Sequence, residues 1–270
     1  MYEHLTYELR GSIALIGINR PDKRNAMYNA MFVELGELAE RAGQEARAAV
    51  IFGHGQHFCA GLDLVALAEQ LSEGIGRTVT VPRVPEQVAF DQIVRGRIPV
   101  VAALSGAVIG AGLEVAASAH IRVADDTAFF GLPEAKRGIF VGAGGSVRIQ
   151  RMLGNARMTD MMLTARALDA DEAQQANLVQ YRVPAGKALE KAIELATSIA
   201  ENNTRESNWA ILHGLSRVND MSYDDALFVE TLIGHGAISA GSHKHLRDFV
   251  EKRAAPLARP GTAPSEVSQS

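Results

Sequence analysis

The chain has 270 residues, 47% of them hydrophobic and 21% charged, with a formal net charge of −4. So apolar a chain is not disordered throughout, its length suits one main domain with an appended segment, and the lack of a basic excess argues against nucleic acid as the partner. Cys59 is the only cysteine, which excludes an intramolecular disulfide and a cysteine-cluster zinc site.

The first residues, MYEHLTYELRGS, lack the basic and apolar regions of a signal peptide. His4–Leu9 alternates weakly, and Ile13–Asn19 is an apolar strand pattern between Gly11 and Pro21. Asn29 is placed to cap a helix over about Ala30–Glu45, in which Met31, Leu35, Leu38 and Ala42 share one face. Ala48–Phe52 is a short buried strand. The loop GHGQHFCAG follows and leads into a helix near Leu62–Leu71. Residues 72–85 carry turn formers and two prolines and read as a mobile loop. A helix over about 86–97 precedes the buried strand Pro99–Leu104. A Gly-rich turn, Ser105–Gly112, then opens a short helix through Ala119. The apolar run Pro99–Ala119 is broken by Ser105, glycines and Glu114, which argues against a membrane span. Ile121–Ala124 and Ala128–Phe130 are short strands. Strands alternating with helices imply an α/β arrangement with helices covering the sheet faces.

From Gly142 onward the pattern is mostly helical. Helices are expected over about 144–154, 155–164, 170–176, 184–203, 204–218, 222–239 and 242–252, with Leu178–Val183 the late strand. Leu189, Ile193, Leu195 and Ile199 make Ala188–Ala200 amphipathic, so that helix needs a surface to cover, and a subunit interface is one reading. The Pro/Ser-rich end after about residue 255 is expected to be disordered.

Three segments carry chemistry. His57-Phe58-Cys59-Ala60-Gly61-Leu62-Asp63-Leu64 follows one buried strand and opens a helix. Ser105-Gly106-Ala107-Val108-Ile109-Gly110-Ala111-Gly112-Leu113-Glu114 does the same after the next. Helix N-termini present unpaired backbone N–H groups, and two brought together could hold a developing oxyanion. The third segment is Phe130-Gly131-Leu132-Pro133-Glu134, followed by Gly142-Ala143-Gly144-Gly145. Glu114 and Glu134 both lie among apolar residues, which suggests shifted pKa values and acid–base work. Taken singly, the glycines also read as tight turns and each glutamate as an exposed or ion-paired side chain.

Taken together, and with Arg20-Pro21, Asn25-Ala26 and Phe249-Val250-Glu251-Lys252-Arg253, these segments resemble the crotonase superfamily, the enoyl-CoA hydratase/isomerase family. The likeness runs over about residues 3–255. It implies an α/β fold, a crotonase-like spiral of ββα turns with a C-terminal helical trimerisation region. Residues 1–190 would form the acyl-CoA-binding core, 191–255 the helical oligomerisation region and 256–270 a disordered tail. It implies an acyl-CoA thioester substrate, with no cofactor beyond the coenzyme A that is part of it, and no metal. It assigns Glu114 and Glu134 to catalysis and the backbone N–H groups of Leu62 and Ala111 to the oxyanion hole. Lys23, Arg24, Ala26, Ala60, Leu62, Asp63, Leu64, Phe249 and Lys252 fall where the family binds coenzyme A. Two glutamates together resemble hydratases more than isomerases, which often use the later one alone. An isomerase, another crotonase-type lyase and a non-catalytic acyl-CoA-binding protein stand as alternatives. The chain departs from the family at Ala111, often Gly, at Val141, commonly Pro, and at Lys136-Arg137, apolar in many members. A homotrimer or a dimer of trimers in the cytoplasm, with no nucleic-acid or membrane partner, completes the expectation.

The remaining candidates read as structural. His54, His57, His213, His235, His243 and His245 are expected to be exposed or to make structural hydrogen bonds, and His120 to end a helix as a cation. Cys59 reads as a small buried hydrophobe. Trp209, Met152, Met158, Met161 and Met162 read as packing, and Asp125-Asp126 as a solvated turn.

Overall fold

The computed structural model describes residues 2–72, 83–238, 240–251 and 253. The chain divides into two compact units, one up to Asn203 and the other from Thr204.

The first unit begins with a hairpin. Strand β1 (Leu5–Arg10) turns at Gly11, whose φ of +59° suits glycine, into β2 (Ile13–Ile18), antiparallel to it. Helix α1 (Asn29–Glu45) then crosses to β3 (Ala48–Gly53), parallel to β2. Tyr28, not Asn29, holds the N-cap position, and no side chain caps this helix. Next come α2 (Leu64–Ser72), α3 (Pro85–Val94), β4 (Val100–Leu104), β5 (Ala107–Ile109), α4 (Ala111–Ala116) and β6 (Ile121–Asp125). Most of the loop expected over 72–85 lies outside the described residues. After β7 (Phe129–Gly131) the chain runs through α5 (Gly145–Leu153), α6 (Asn155–Thr164), β8 (Leu168–Asp169), α7 (Ala170–Gln175), β9 (Tyr181–Val183) and α8 (Ala188–Asn202). The main sheet has the order β1-β2-β3-β4-β6-β9, all parallel after the first hairpin, and β5-β7-β8 form a second, small sheet.

The central strands β2, β3 and β4 are buried on both faces, so they read as apolar runs rather than alternations. In β2, Ala14, Ile16 and Ile18 join the larger core with Met31, Leu35 and Leu38 of α1 and Phe90 and Ile93 of α3. Ile13 and Leu15, with Val50, Val101 and Val123, meet the other face, where α8 lays down Ala188, Ala192, Ala196 and Ala200. Four alanines spaced one turn apart let α8 lie close on the strands. Met158 and Met161 are buried in the larger core, and Met152 and Met162 pack against it.

Several expectations need correction. The Gly-rich segment Ser105–Gly112 is not only a turn, because Ala107–Ile109 pairs with β7 as a strand. The late strand is short: Leu178 and Val179 are buried in the preceding turn, and pairing starts at Tyr181. Asp125 is buried rather than solvated, because its carboxylate accepts from the Thr127 N–H and hydroxyl and from the Gly186 N–H. Asp126 is exposed and pairs with Arg182. His120 is not a helix-end cation. Its Nδ1 accepts the Val100 N–H at 3.0 Å and its Nε2–H donates to the Val94 carbonyl at 3.2 Å, which is the neutral tautomer.

The second unit holds α9 (Arg205–Val218), α10 (Tyr223–Gly236) and α11 (Ala240–Val250). Thr204 and Ser222 cap α9 and α10 by accepting the Ser207 and Asp225 N–H groups. These helices carry many exposed apolar side chains, among them Leu215, Phe228 and Leu232, and Trp209 is half exposed.

Candidate active site

Three loops of the first unit meet in one place. Arg20–Asn25 turns through a single 3₁₀ turn, with Arg24 and Asn25 at positive φ. Asn25 is buried and ties the loops together: its Oδ1 accepts the Arg20 N–H at 2.8 Å, and its Nδ2 donates to the His54 and His57 carbonyls at 2.9 and 2.6 Å. An Asn can take this left-handed conformation and still fill its amide valences. The sequence motif marked Asn25 but did not reveal this cross-tie.

The second and third loops lie against each other. Cys59 donates its N–H to the Ala107 carbonyl, and Ile109 donates to the Cys59 carbonyl. A Cβ on Gly112 would stand 2.3 Å from the Cys59 carbonyl oxygen, so only glycine allows this approach. The Cys59 thiol is sealed inside, and burial pushes its pKa up to about 12. On the other side, Met27 bonds the Gly61 carbonyl and the Asp63 N–H. The intervening Leu62 N–H therefore points away from Met27. Ala111 is the first residue of α4, where an N–H has no partner within its helix. Among the described residues neither the Leu62 nor the Ala111 N–H has an acceptor, and both residues line one cavity of about 400 Å³.

Glu114 and Glu134 line the same cavity. Glu114, 4% exposed, lies in the first turn of α4, and its Oε1 accepts the Ala143 N–H at 2.9 Å and the Gly145 N–H at 2.8 Å. The Gly142–Gly145 run is thus a cradle for this carboxylate. A Cβ on Gly145 would stand 2.7 Å from Glu114 Cγ. Arg148 holds the cradle from behind, donating to the Ala143 carbonyl. Burial raises the pKa of Glu114, and the two backbone bonds and the Arg148 charge oppose that rise. Glu134, 7% exposed, begins a 3₁₀ turn after Pro133, and its Oε2 is buried without a hydrogen-bond partner. Burial, reinforced by the nearby Glu114 charge, pushes its pKa up to about 7. Two carboxylates with unlike environments are what a proton donor and a proton acceptor need at neutral pH.

The raised pKa of Glu134 has a cost in stability. The folded state holds this proton more tightly than the unfolded chain, so stability falls as pH rises from the ordinary 4.5 to about 7 and stays lower above it. Glu134→Gln removes that ionisation. Urea unfolding should find the variant more stable than wild type at pH 8, on the order of 2–3 kcal/mol, with the gap closing near pH 4. A gap that does not depend on pH would contradict the buried ionisation.

A larger cavity, about 660 Å³, opens beside His54, His57 and Thr127 at the carboxyl ends of β3, β4 and β6. Its polar groups bond locally: His54 to Thr6, His57 Nδ1 to the Ala107 N–H, and Thr127 to Asp125. Asp125 also lines it, but its carboxylate is taken up by Thr127 and the Gly186 N–H, whereas the smaller cavity holds both buried glutamates.

The other candidate residues are placed as follows. Lys23 and Arg24 are exposed on the first loop, and the Arg24 carbonyl accepts the Ala60 N–H. Ala26 and Ala60 are half-buried beside them, and Leu64 is exposed. The Asp63 carboxylate is engaged by Arg20 at 2.7 Å and by the Val65 N–H at the start of α2, which holds its pKa below the usual carboxylate value. Phe249 is an exposed residue of α11 in the second unit, and Lys252 lies outside the described residues. Lys136 and Arg137 are exposed on the 3₁₀ turn, and Val141 lines the cavity. Among the described residues no group of three or more His, Cys, Asp or Glu side chains could hold a metal ion, and no helix is long and apolar enough to cross a membrane.

An α/β core that points two buried carboxylates at one cavity has the makings of an acid–base enzyme. The sequence pattern of the enoyl-CoA hydratase/isomerase family matches residues 8–258, and the chain belongs to that family. Enoyl-CoA hydratase EchA19 of Mycobacterium tuberculosis is 32% identical over 92% of this chain and 93% of its own length. The 2,3-dehydroadipyl-CoA hydratase of Escherichia coli is 36% identical over 88% of this chain and 94% of its own. The crystal structure of a putative enoyl-CoA hydratase from Rhodopseudomonas palustris is 38% identical, superposes with a TM-score of 0.82, and covers 94% of this chain and 97% of its own.

Proposed function

We propose that the protein is an enoyl-CoA hydratase, a hydro-lyase that adds water across the 2,3 double bond of an enoyl-CoA thioester to give a 3-hydroxyacyl-CoA. The observation that carries this reading is the pair Glu114 and Glu134, both buried on the cavity lined by Leu62 and Ala111. The names of the relatives at 32% and 36% identity support it. The Leu62 and Ala111 N–H groups would receive the thioester oxygen, on which negative charge grows as the enolate-like transition state forms. Glu114, with its charged form held by two backbone N–H groups, takes a proton from water as the water oxygen bonds the β-carbon. Glu134, whose pKa of about 7 keeps a proton within reach, delivers it to the α-carbon. Nothing is oxidised or reduced, so the reaction asks for no cofactor beyond the coenzyme A carried by the substrate. An isomerase needs one shuttling acid–base group, and the second cradled carboxylate favours hydration. Incubation with an enoyl-CoA and product analysis tests this: a 3-hydroxyacyl-CoA supports it, and a shifted double bond or unchanged thioester overturns it.

Lys23, Arg24 and Lys252 are proposed to meet the phosphates of coenzyme A, with Ala26, Ala60, Leu62, Asp63, Leu64 and Phe249 around the rest of it. Exposed cations give modest, screened contacts. Replacing the three basic residues by Ala should raise KM several-fold at low salt and much less at high salt; an unchanged KM at low salt contradicts the assignment.

The helical region over 191–255 is proposed to build a homotrimer or a dimer of trimers in the cytoplasm. The exposed Leu215, Phe228 and Leu232 support an oligomer, because such side chains are costly to leave in water. Light scattering should find no stable monomer at micromolar concentration.

A further inference from the structure

The cavity that holds Glu114 and Glu134 has a second polar end. Its catalytic side is shared with a narrow cavity of about 60 Å³, since Leu62, Ala111, Glu134 and Ile139 line both. The narrow cavity continues toward Ala60 and Leu64, the segment proposed for coenzyme A. An acyl chain anchored at Leu62 and Ala111 therefore runs the other way, toward Asn29, Phe32, Leu67 and Glu86. Phe32 and Leu67 suit a hydrocarbon. Asn29 and Glu86 do not.

Glu86 is 6% exposed, and carboxylates are rarely buried so deeply unless they have a partner or a task. It lies in the first turn of α3, which opens on this end of the cavity. Its neighbour Gln87 donates from Nε2 to the Gly142 carbonyl at 2.9 Å, so the start of α3 is fixed to the same loop that cradles Glu114. Asn29, at the start of α1, adds an amide with both donors and an acceptor to this end of the cavity.

We propose, resting on the hydratase reading above, that Glu86 and Asn29 select acyl chains bearing a hydroxyl group beyond the double bond. The hydroxyl donates to the Glu86 carboxylate and accepts from the Asn29 amide. A carboxylate has about four acceptor sites, so bonds that Glu86 makes elsewhere still leave it capacity. A plain hydrocarbon tail displaces water from both groups and gives nothing back. A tail ending in a second carboxylate sheds its water and sets acceptor oxygens against those of Glu86. Sites built around a hydrogen bond discriminate strongly against a ligand that lacks it.

The test compares hex-2-enoyl-CoA, the better of its 5- and 6-hydroxy derivatives, and the thioester whose sixth carbon is a carboxylate. Wild type should hydrate the hydroxylated substrate with a kcat/KM at least about tenfold above the hydrocarbon, with the carboxylate poorest. Glu86→Leu should reverse the order of hydroxyl and hydrocarbon. Glu86→Gln keeps the shape, so it reads the same ratio if the leucine variant does not fold, and it should relieve the exclusion of the carboxylate most. Wild-type preference for the hydrocarbon or the carboxylate, or a ratio unmoved in the folded variants, overturns the proposal. Failure of wild type to hydrate any of the three overturns the hydratase reading instead. Calorimetric binding of hexanoyl-CoA and its hydroxylated derivatives then still decides tail selection: equal affinities overturn it, and a hydroxyl preference that Glu86→Gln weakens and Glu86→Leu loses supports it.

Discussion

Glu114→Gln and Glu134→Gln should each cut hydration turnover by at least about a hundredfold while the chain remains folded, because general acid–base help is worth about 10²–10⁴-fold. The amide keeps the shape of the carboxyl group but cannot exchange a proton in the same way. At position 114 it can still accept the Ala143 and Gly145 N–H groups through its oxygen, so the cradle survives. Two groups serving one water act as a unit, so the double variant should be far better than the product of the two losses. The pH profile follows from the same pair. Glu134 must be protonated to deliver to the α-carbon, so hydration should fall as pH rises past about 7. Glu114 must be ionised, so hydration should also fall in acid. Glu134→Gln should abolish the alkaline limb with most of the activity, and should lose α-proton exchange in deuterated water more completely than Glu114→Gln. Near-wild-type hydration by either folded single variant would remove the two-carboxylate mechanism.

Ala111→Pro should be the more surgical loss, with kcat reduced about 10²–10³-fold, or roughly 3–4 kcal/mol, and the fold intact. Proline is well accepted at the first position of a helix, since the N–H it lacks has no partner within that helix. Here that missing N–H is the proposed oxyanion donor. The Glu114 N–H still reaches the Gly110 carbonyl, so α4 keeps its first bond. Ala111→Gly restores the N–H and should hydrate within a few-fold of wild type. Circular dichroism checks the fold and steady-state kinetics the loss. A folded, fully active proline variant would take Ala111 out of the mechanism.

The sequence made the frame legible because buried parallel strands are continuous apolar runs. Ile13–Ile18, Ala48–Gly53 and Val100–Leu104 stand out for that reason. Glu114 and Glu134 stood out because a carboxylate among apolar neighbours has few structural uses. The parts that stayed hidden are made by backbone and by distance. The cradle for Glu114 comes from the N–H groups of Ala143 and Gly145, some thirty residues on, and no side-chain type announces it. The three-residue strand Ala107–Ile109 was lost among glycines, because its partner Phe129–Gly131 lies beyond an intervening helix and strand. Asp125-Asp126 reads as a turn exposed to water, whereas three donors converge on the first carboxylate, a convergence no sequence pattern marks. Asn29 reads only as a helix cap and Glu86 carries no pattern, since the cavity end they line exists only after α1 and α3 have packed.

The sealed thiol of Cys59 has a practical side. It is the only sulfhydryl in the chain, it lies within the seam between the two loops that present Leu62 and Ala111, and its pKa of about 12 keeps it from forming a thiolate at neutral pH. Thiol-directed electrophiles and mild thiol oxidants thus find no thiolate to attack in this seam. A cysteine introduced on any exposed position becomes the single addressable handle of the molecule, so dyes or spin labels can be attached without first mutating the native residue.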